Sequence, residues 1–456
     1  MLRLVLVAFV STALPVKAET SVPESAQQIS LSFAPVVAEA APAVVNIYAR
    51  SEVRDRRNPF QGDPFFDQFF GTNGPPRVQN SLGSGVITSA EGIVVSNYHV
   101  VENATDIRVV LADRREYSAR VLLADRQSDL AVLKVDADAP LPALALADSD
   151  ALQVGDLVLA IGNPFGVGQT VSSGIVSGLA RSALQVGDGS GYFVQTDAPI
   201  NPGNSGGALV DMAGRLVGIN TAILTKDGGS NGIGFAIPSN LVAAFIAQAK
   251  AGETRFQRPW AGMTGQEVDG TLAEALGLDR PLGVMITALH PQSPLAAAGL
   301  AEGDVILSLG GAPVNTPQEL LYRLTVLGNG PQAVSYLKEG ATGEAQVTLG
   351  PAPDEPDRAE LTVRDDVILR GATLVRINPA VIADLHLPLD ARGVAVTEAT
   401  DFAREVGLQA GDVLVAINGE PLETPQDALV AASQPSRRWQ IDLIRAGEPL
   451  RLRFRL

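Results

Sequence analysis

The chain has 456 residues, 46% of them hydrophobic and 18% charged, a globular composition too long for one core and suited to roughly two to four domains. Its formal net charge of −16 argues against nucleic acid as a partner, because a phosphate backbone calls for a cationic surface. There is no cysteine, and neither the histidines nor any carboxylate cluster shows ligand spacing, so disulfides are excluded and no metal or cofactor is expected.

The amino terminus opens with Met1-Leu2-Arg3, continues as the apolar run Leu4 to Val10, and reaches Val16-Lys17-Ala18 before Glu19. One positive residue, a short apolar core and small residues at the cleavage position predict a secretory signal over residues 1–18. The run is too short and interrupted to span a bilayer; an uncleaved anchor is the alternative. No later segment is apolar enough to cross a membrane, so no span is expected after signal cleavage.

A strand is predicted at Ala43-Val44-Val45-Asn46-Ile47-Tyr48. Residues 50–80 then lapse into loop chemistry that nevertheless carries five phenylalanines, Phe60, Phe65, Phe66, Phe69 and Phe70. A long polar loop bearing aromatics either meets a partner or folds back on its own domain. From Leu82 to Ile237, short β-type runs alternate with glycine-rich turns, among them Gly85 to Thr88, Ile107 to Leu111 and Leu157 to Ile161. Regular short strands without intervening helices predict an all-β barrel or sandwich.

Three stretches inside this region carry chemistry. His99 ends the apolar run Val94 to Val101; Asp129 opens the buried-looking Leu130 to Val135; and Ser205 sits in Gly203-Asn204-Ser205-Gly206-Gly207. Flanking glycines leave the serine hydroxyl uncrowded, and the Gly203 and Ser205 amides could meet one developing oxyanion. A serine hydroxyl alone is a poor nucleophile and needs a base and an orienting acid. Of the three histidines, His290 and His386 fall in a duplicated C-terminal region where surface or packing roles are expected, which leaves His99 as base. Asp125, in Asp125-Arg126-Gln127-Ser128, reads as a turn residue, which leaves Asp129 as acid.

The order His99, Asp129, Ser205 is that of double β-barrel proteases. The glycines also fit the nucleophile elbow of an α/β-hydrolase, but an elbow needs a helix after the serine and a late histidine. Here Ala208-Leu209-Val210, a turn at Asp211-Met212-Ala213-Gly214 and Leu216-Val217-Gly218-Ile219 predict a hairpin. The elbow reading fails.

A helix is predicted over Asn240 to Ala249, capped at Ser239 or Asn240, closing the first domain. The remainder is duplicated. Gly299-Leu300-Ala301-Glu302-Gly303-Asp304-Val305-Ile306 is echoed by Gly407-Leu408-Gln409-Ala410-Gly411-Asp412-Val413-Leu414. Likewise Pro313 to Glu319 matches Pro421 to Asp427, and Pro351 to Pro356 separates the copies. Two copies make two small domains, too few for a solenoid.

With Gly162-Asn163-Pro164-Phe165-Gly166, Thr196 to Pro202 and Gly232 to Pro238, these contexts resemble the HtrA (Do-like) periplasmic serine endoproteases over essentially the whole mature chain. The repeats resemble that family's two PDZ domains. The resemblance implies a mainly β chain: a chymotrypsin-like double-barrel protease domain at 27–250, PDZ domains at 251–352 and 362–456, and a linker at 353–361. It implies His99 as general base, Asp129 as orienter, Ser205 as nucleophile, and the Gly203 and Ser205 amides as oxyanion hole. Ile200 and Ile233 match positions of an apolar specificity pocket, and Ala261, Gly262 and Met263 match the carboxylate loop of the first PDZ domain.

The family's partners are unfolded polypeptides and C-terminal peptides, and it assembles as trimers or their multiples. Its loop matching residues 50–80 can cover the resting site. Two departures stand out: Ala261 replaces a leucine in the first PDZ domain, and in the second repeat Asp401-Phe402-Ala403 replaces the first repeat's Ser293-Pro294-Leu295, with Leu369-Arg370-Gly371-Ala372 as an unusual carboxylate loop. The second domain is therefore expected to serve assembly more than peptide capture. Nothing suggests use of ATP, since Gly162 to Gly168 lacks the lysine of a phosphate loop. Two functions follow: an ATP-independent periplasmic endopeptidase for misfolded exported proteins, or a largely latent protease that holds clients as a chaperone.

Overall fold

The computed structural model describes residues 32–52, 78–163, 168–179, 185–186, 189–190, 192–201, 203–223 and 232–455. The signal segment, most of the phenylalanine-bearing loop, Pro164 to Gly166 and Pro202 lie outside the described residues.

After helix α1 (Ala34–Ala40), six strands close the first barrel: β1 (Val44–Glu52), β2 (Val78–Ser89), β3 (Ile93–Ser96), β4 (Asp106–Val110), β5 (Glu116–Asp125) and β6 (Leu130–Val135). Their order is β1-β2-β3-β6-β5-β4, and β1 pairing with β4 completes the ring. The short helix α2 (Tyr98–Val101) follows β3. A second barrel is built from β7 (Leu157–Gly162), β8 (Thr170–Gly178), β9 (Val194–Thr196), β10 (Ala208–Val210), β11 (Leu216–Ile223) and β12 (Gly234–Pro238), in the order β9-β12-β11-β10-β7-β8. Closing a sheet on itself removes its unpaired edges and encloses a core of inward-facing aliphatics. β3 is buried along its whole length, as are β10 and β12, which explains why these runs read as apolar throughout.

Helix α3 (Ser239–Ala251) packs Val242, Phe245 and Ala249 onto a core shared by both barrels. A side chain the size of Phe245 contributes roughly 2–3 kcal/mol by leaving water. The expected cap at Ser239 or Asn240 is corrected: the N-cap is Pro238, with no side-chain cap bond. Ser239 Oγ instead donates to the Ala147 carbonyl at 2.6 Å, and Asn240 Oδ1 accepts from the Ser149 amide at 3.2 Å. Both side chains tie the helix to the loop that precedes β7.

Two further sheets follow. The first runs β13 (Met263–Glu267), β14 (Val284–Leu289), β15 (Val305–Leu309), β16 (Gly330–Lys338) and β17 (Ala341–Leu349), with helix α4 (Pro317–Leu327). The second runs β18 (Leu361–Thr362), β19 (Ala372–Arg376), β20 (Val394–Ala399), β21 (Val413–Ile417), β22 (Arg438–Arg445) and β23 (Glu448–Arg455), with helix α5 (Pro425–Ala432). The duplication is visible in the caps: Thr316 accepts from the Glu319 amide at 3.1 Å and Thr424 from the Asp427 amide at 3.2 Å, each ahead of a proline at the first helical position. Among the described residues no helix is long and apolar enough to cross a membrane.

Candidate active site

The site lies where the two barrels meet, and each contributes a part. His99 stands on α2, directly after the fully buried β3. Asp129 precedes β6 with φ of 50°, the left-handed region that short polar residues tolerate at a cost on the order of 1 kcal/mol. That turn is held by neighbours: the Asp129 carbonyl accepts from the Tyr98 amide at 3.1 Å and from Asn97 Nδ2 at 3.0 Å. Its carboxylate is thereby presented to His99, whose Nδ1 is 2.9 Å from both oxygens and whose backbone amide donates to Oδ1 at 3.1 Å.

Ser205 comes from the second barrel, between β9 and β10. Its hydroxyl donates to the Thr221 carbonyl at 3.2 Å. The Gly203 and Ser205 amides, expected to meet an oxyanion, have no acceptor among the described residues, whereas the Asn204, Gly206 and Gly207 amides all bond within the fold. Gly206 serves more than hydroxyl access. At φ of 82°, a Cβ there would lie 2.1 Å from the Ser84 carbonyl oxygen, so only glycine lets the Ser205 loop approach the first barrel this closely.

Two residues at the centre of this arrangement escaped the sequence reading. Thr221 Oγ1 donates to Asp129 Oδ2 at 2.6 Å while its carbonyl holds the Ser205 hydroxyl, so one residue of β11 touches both halves of the site. Ser84 of β2 fastens the Ser205 loop: its amide donates to the Ser205 carbonyl at 2.9 Å and its hydroxyl to the Gly203 carbonyl at 2.6 Å. Its glycine-flanked setting, Gly83-Ser84-Gly85, was the available signal.

Ile200 is 2% exposed and packs in the core of the second barrel, where its Cδ1 would be 2.8 Å from a Cβ on Gly234. Ile233, the residue before, is partly buried. His290 and His386 stand apart from the site. His290 Nδ1 accepts from the Gln292 amide at 3.1 Å, and His386 ends a helix at φ of 54°.

Burial pulls the His99 imidazole down, but the charge and hydrogen bond of Asp129, followed by the charge of Glu102, outweigh it and hold the pKa above the ordinary 6.5. A base must be neutral at its free nitrogen, so activity is expected to fall as pH drops through a value above 6.5. A pH profile of kcat/KM checks this; undiminished cleavage well below that value would point to another base.

Residues 83–219 match the family described as the trypsin-like peptidase domain. The chain is 37% identical over 434 residues to the periplasmic pH-dependent serine endoprotease DegQ of Escherichia coli (strain K12), covering 93% of this chain and 91% of that protein. It is 38% identical over 438 residues to the periplasmic serine endoprotease DegP of Salmonella typhimurium, covering 89% and 88%. Among solved structures, the HtrA-type protease AlgW with a decapeptide superposes with a TM-score of 0.53 at 41% identity, over 71% of this chain and 99% of that one. Identity at this level across nearly the whole length, together with two closed barrels and two PDZ-like sheets, establishes that the chain belongs to the HtrA (DegP/DegQ-like) family of periplasmic serine endoproteases.

Proposed function

We propose that this protein cleaves unfolded or misfolded exported polypeptides without ATP, through an acyl-enzyme on Ser205. The observation that carries the reading is the joint hold of Thr221 on Asp129 and Ser205, beside a His99–Asp129 pair and two amides with no acceptor among the described residues. In the reaction, Ser205 Oγ turns from the Thr221 carbonyl to His99, loses its proton to the outer ring nitrogen and attacks the peptide carbonyl. Asp129 keeps the inner nitrogen protonated, and the Gly203 and Ser205 amides receive the oxyanion, each such donor lowering the barrier by about 3–4 kcal/mol. His99 then delivers the proton to the leaving amine, and water completes hydrolysis by the same route.

The second reading, a largely latent enzyme that holds clients, is favoured by the Ser205 hydroxyl bonding to Thr221. Cleavage of a denatured protein by the wild-type chain and by Ser205→Ala, with and without a peptide ending in apolar residues, separates them. Serine-dependent cleavage that the peptide accelerates supports the endopeptidase; suppressed aggregation without cleavage supports the holdase.

The two PDZ-like sheets support different roles. In the first, β13 is the sheet's edge, beside α4, and the Ala261 and Gly262 amides have no acceptor among the described residues. An extended peptide could add to that edge with its carboxylate on these amides. In the second, β18 already pairs with β19, the Gly371 amide donates to the Val363 carbonyl at 2.9 Å and the Ala372 amide to the Leu369 carbonyl at 2.9 Å. The equivalent edge and amides are taken, which suits assembly rather than capture.

Calorimetry with an apolar carboxylate-terminated peptide is accordingly expected to give one site per chain. Gly262→Val should weaken it by at least about tenfold, the loss of charge-assisted hydrogen bonds. The reason is steric: Gly262 has φ of 60°, and a Cβ there would lie 2.6 Å from the Trp260 ring. Two equivalent sites, or an indifferent Gly262→Val, would contradict this assignment.

A further inference from the structure

Arg258 lies between the second barrel and the first PDZ-like sheet, in a segment that is firmly docked. Phe256 is buried and stacks on Phe245 of α3, with ring centroids 3.6 Å apart and planes 11° from parallel. The Gln257 amide donates to Gln248 Oε1 at 2.8 Å, and Gln248 Nε2 donates back to the Gln257 carbonyl at 2.8 Å. The Arg258 guanidinium lies over the Phe256 ring, 5.0 Å from its centroid.

From this position the side chain reaches the turn that ends on Asp129. Nη2 donates to Asp125 Oδ2 at 2.5 Å and to Ser128 Oγ at 2.6 Å, and Nη1 to Asp125 Oδ1 at 3.3 Å. Asp125 Oδ2 also accepts from the Ser128 amide at 2.7 Å. The pair is largely shielded, with Arg258 19% and Asp125 17% exposed, so its hydrogen bonds are screened less than those of a surface pair. The next residue is Asp129 in its left-handed conformation, a geometry that persists only where the surroundings over-determine it.

We propose that Arg258 is a positioning residue for the catalytic acid, fixing the turn at 125–128 so that the Asp129 carboxylate meets His99. The inference rests on the triad reading above. The Ala261 and Gly262 amides, which have no acceptor among the described residues, follow within the same short stretch, beyond the buried Pro259 and a Trp260 amide tied to the Gly350 carbonyl at 2.8 Å.

The test follows acylation of Ser205 in the full chain by a fluorophosphonate, over hours where needed. Arg258→Gln and Asp125→Asn are each expected to slow the limiting rate by about 10- to 100-fold, the loss that follows a small misplacement of reacting groups. The half-saturating probe concentration should stay near wild type, with rates read at a temperature where each variant is folded. Arg258→Lys, which keeps the charge without the planar fork, should fall between. The exposed neighbour variant Arg255→Gln should not change the rate.

The deciding arm combines Arg258→Gln with Asp129→Asn, where no further loss is expected if Arg258 acts through that carboxylate. A full additional loss in that background, or a wild-type rate for Arg258→Gln alone, overturns the inference. Should Arg258→Gln not fold, Asp125→Asn combined with Asp129→Asn asks the same question from the other partner. A wild-type chain that never labels at Ser205 would overturn the triad reading instead.

Discussion

Ser205→Ala is expected to lower peptide-bond hydrolysis by about 10⁶-fold while the chain stays folded and still binds its peptide. The size of the effect follows from the chemistry: without the hydroxyl no acyl-enzyme forms, and only binding and the oxyanion donors remain. Folding should survive because the contacts that fasten this loop are made by backbone. The Ser205 carbonyl accepts from Ser84, the Gly206 amide donates to Asn220, and the Gly207 amide to Asn204, none of which the substitution touches. Among the described residues, the hydroxyl's 3.2 Å hydrogen bond to the Thr221 carbonyl is the one removed. Turnover of a chromogenic peptide, read beside near-ultraviolet circular dichroism, checks both halves. Retained hydrolysis in a folded Ser205→Ala chain would move the nucleophile elsewhere.

Asp129→Asn should cost about 10⁴-fold in kcat with little change in KM. Asp129 accepts three hydrogen bonds at once, from His99 Nδ1, from the His99 amide and from Thr221 Oγ1. An asparagine offers one oxygen and one NH2 group, so one of these donors faces another donor unless the imidazole takes the wrong tautomer. The base then points its proton at Ser205. The substitution also removes the charge that holds His99 above its ordinary value, so the residual activity should persist to lower pH than in the wild type. Steady-state kinetics across pH reads out both effects. A loss confined to KM would place Asp129 in substrate binding instead.

Much of this site was legible because its parts are local. His99 after a buried strand, a turn running into Asp129, and a hairpin rather than a helix after Ser205 are each decided within about a dozen residues, a range where periodicity and turn chemistry are informative, although Asp125 itself proves to end β5. The match of Pro313 to Glu319 with Pro421 to Asp427 was equally local, and the two copies head α4 and α5.

What stayed hidden depends on contacts between distant segments. Thr221 faces the site because β11 changes register between Asn220 and Ala222, and such a bulge re-aims a side chain without a clear sequence mark. Ser239 looked like a helix cap, but a carbonyl of the loop before β7 competed for its hydroxyl and won. The closure of the second PDZ-like sheet by β18 depends on two residues, too few to show a pattern. Arg258 and Asp125 are a pair that only the packed fold brings together.

The most direct test of the whole account is to locate a fluorophosphonate adduct by mass spectrometry in the wild-type chain and in His99→Ala. The account expects a single adduct on Ser205 in the wild type, and labelling slowed by several orders of magnitude when the base is removed. An adduct on another serine, or full labelling of Ser205 in His99→Ala, would contradict it.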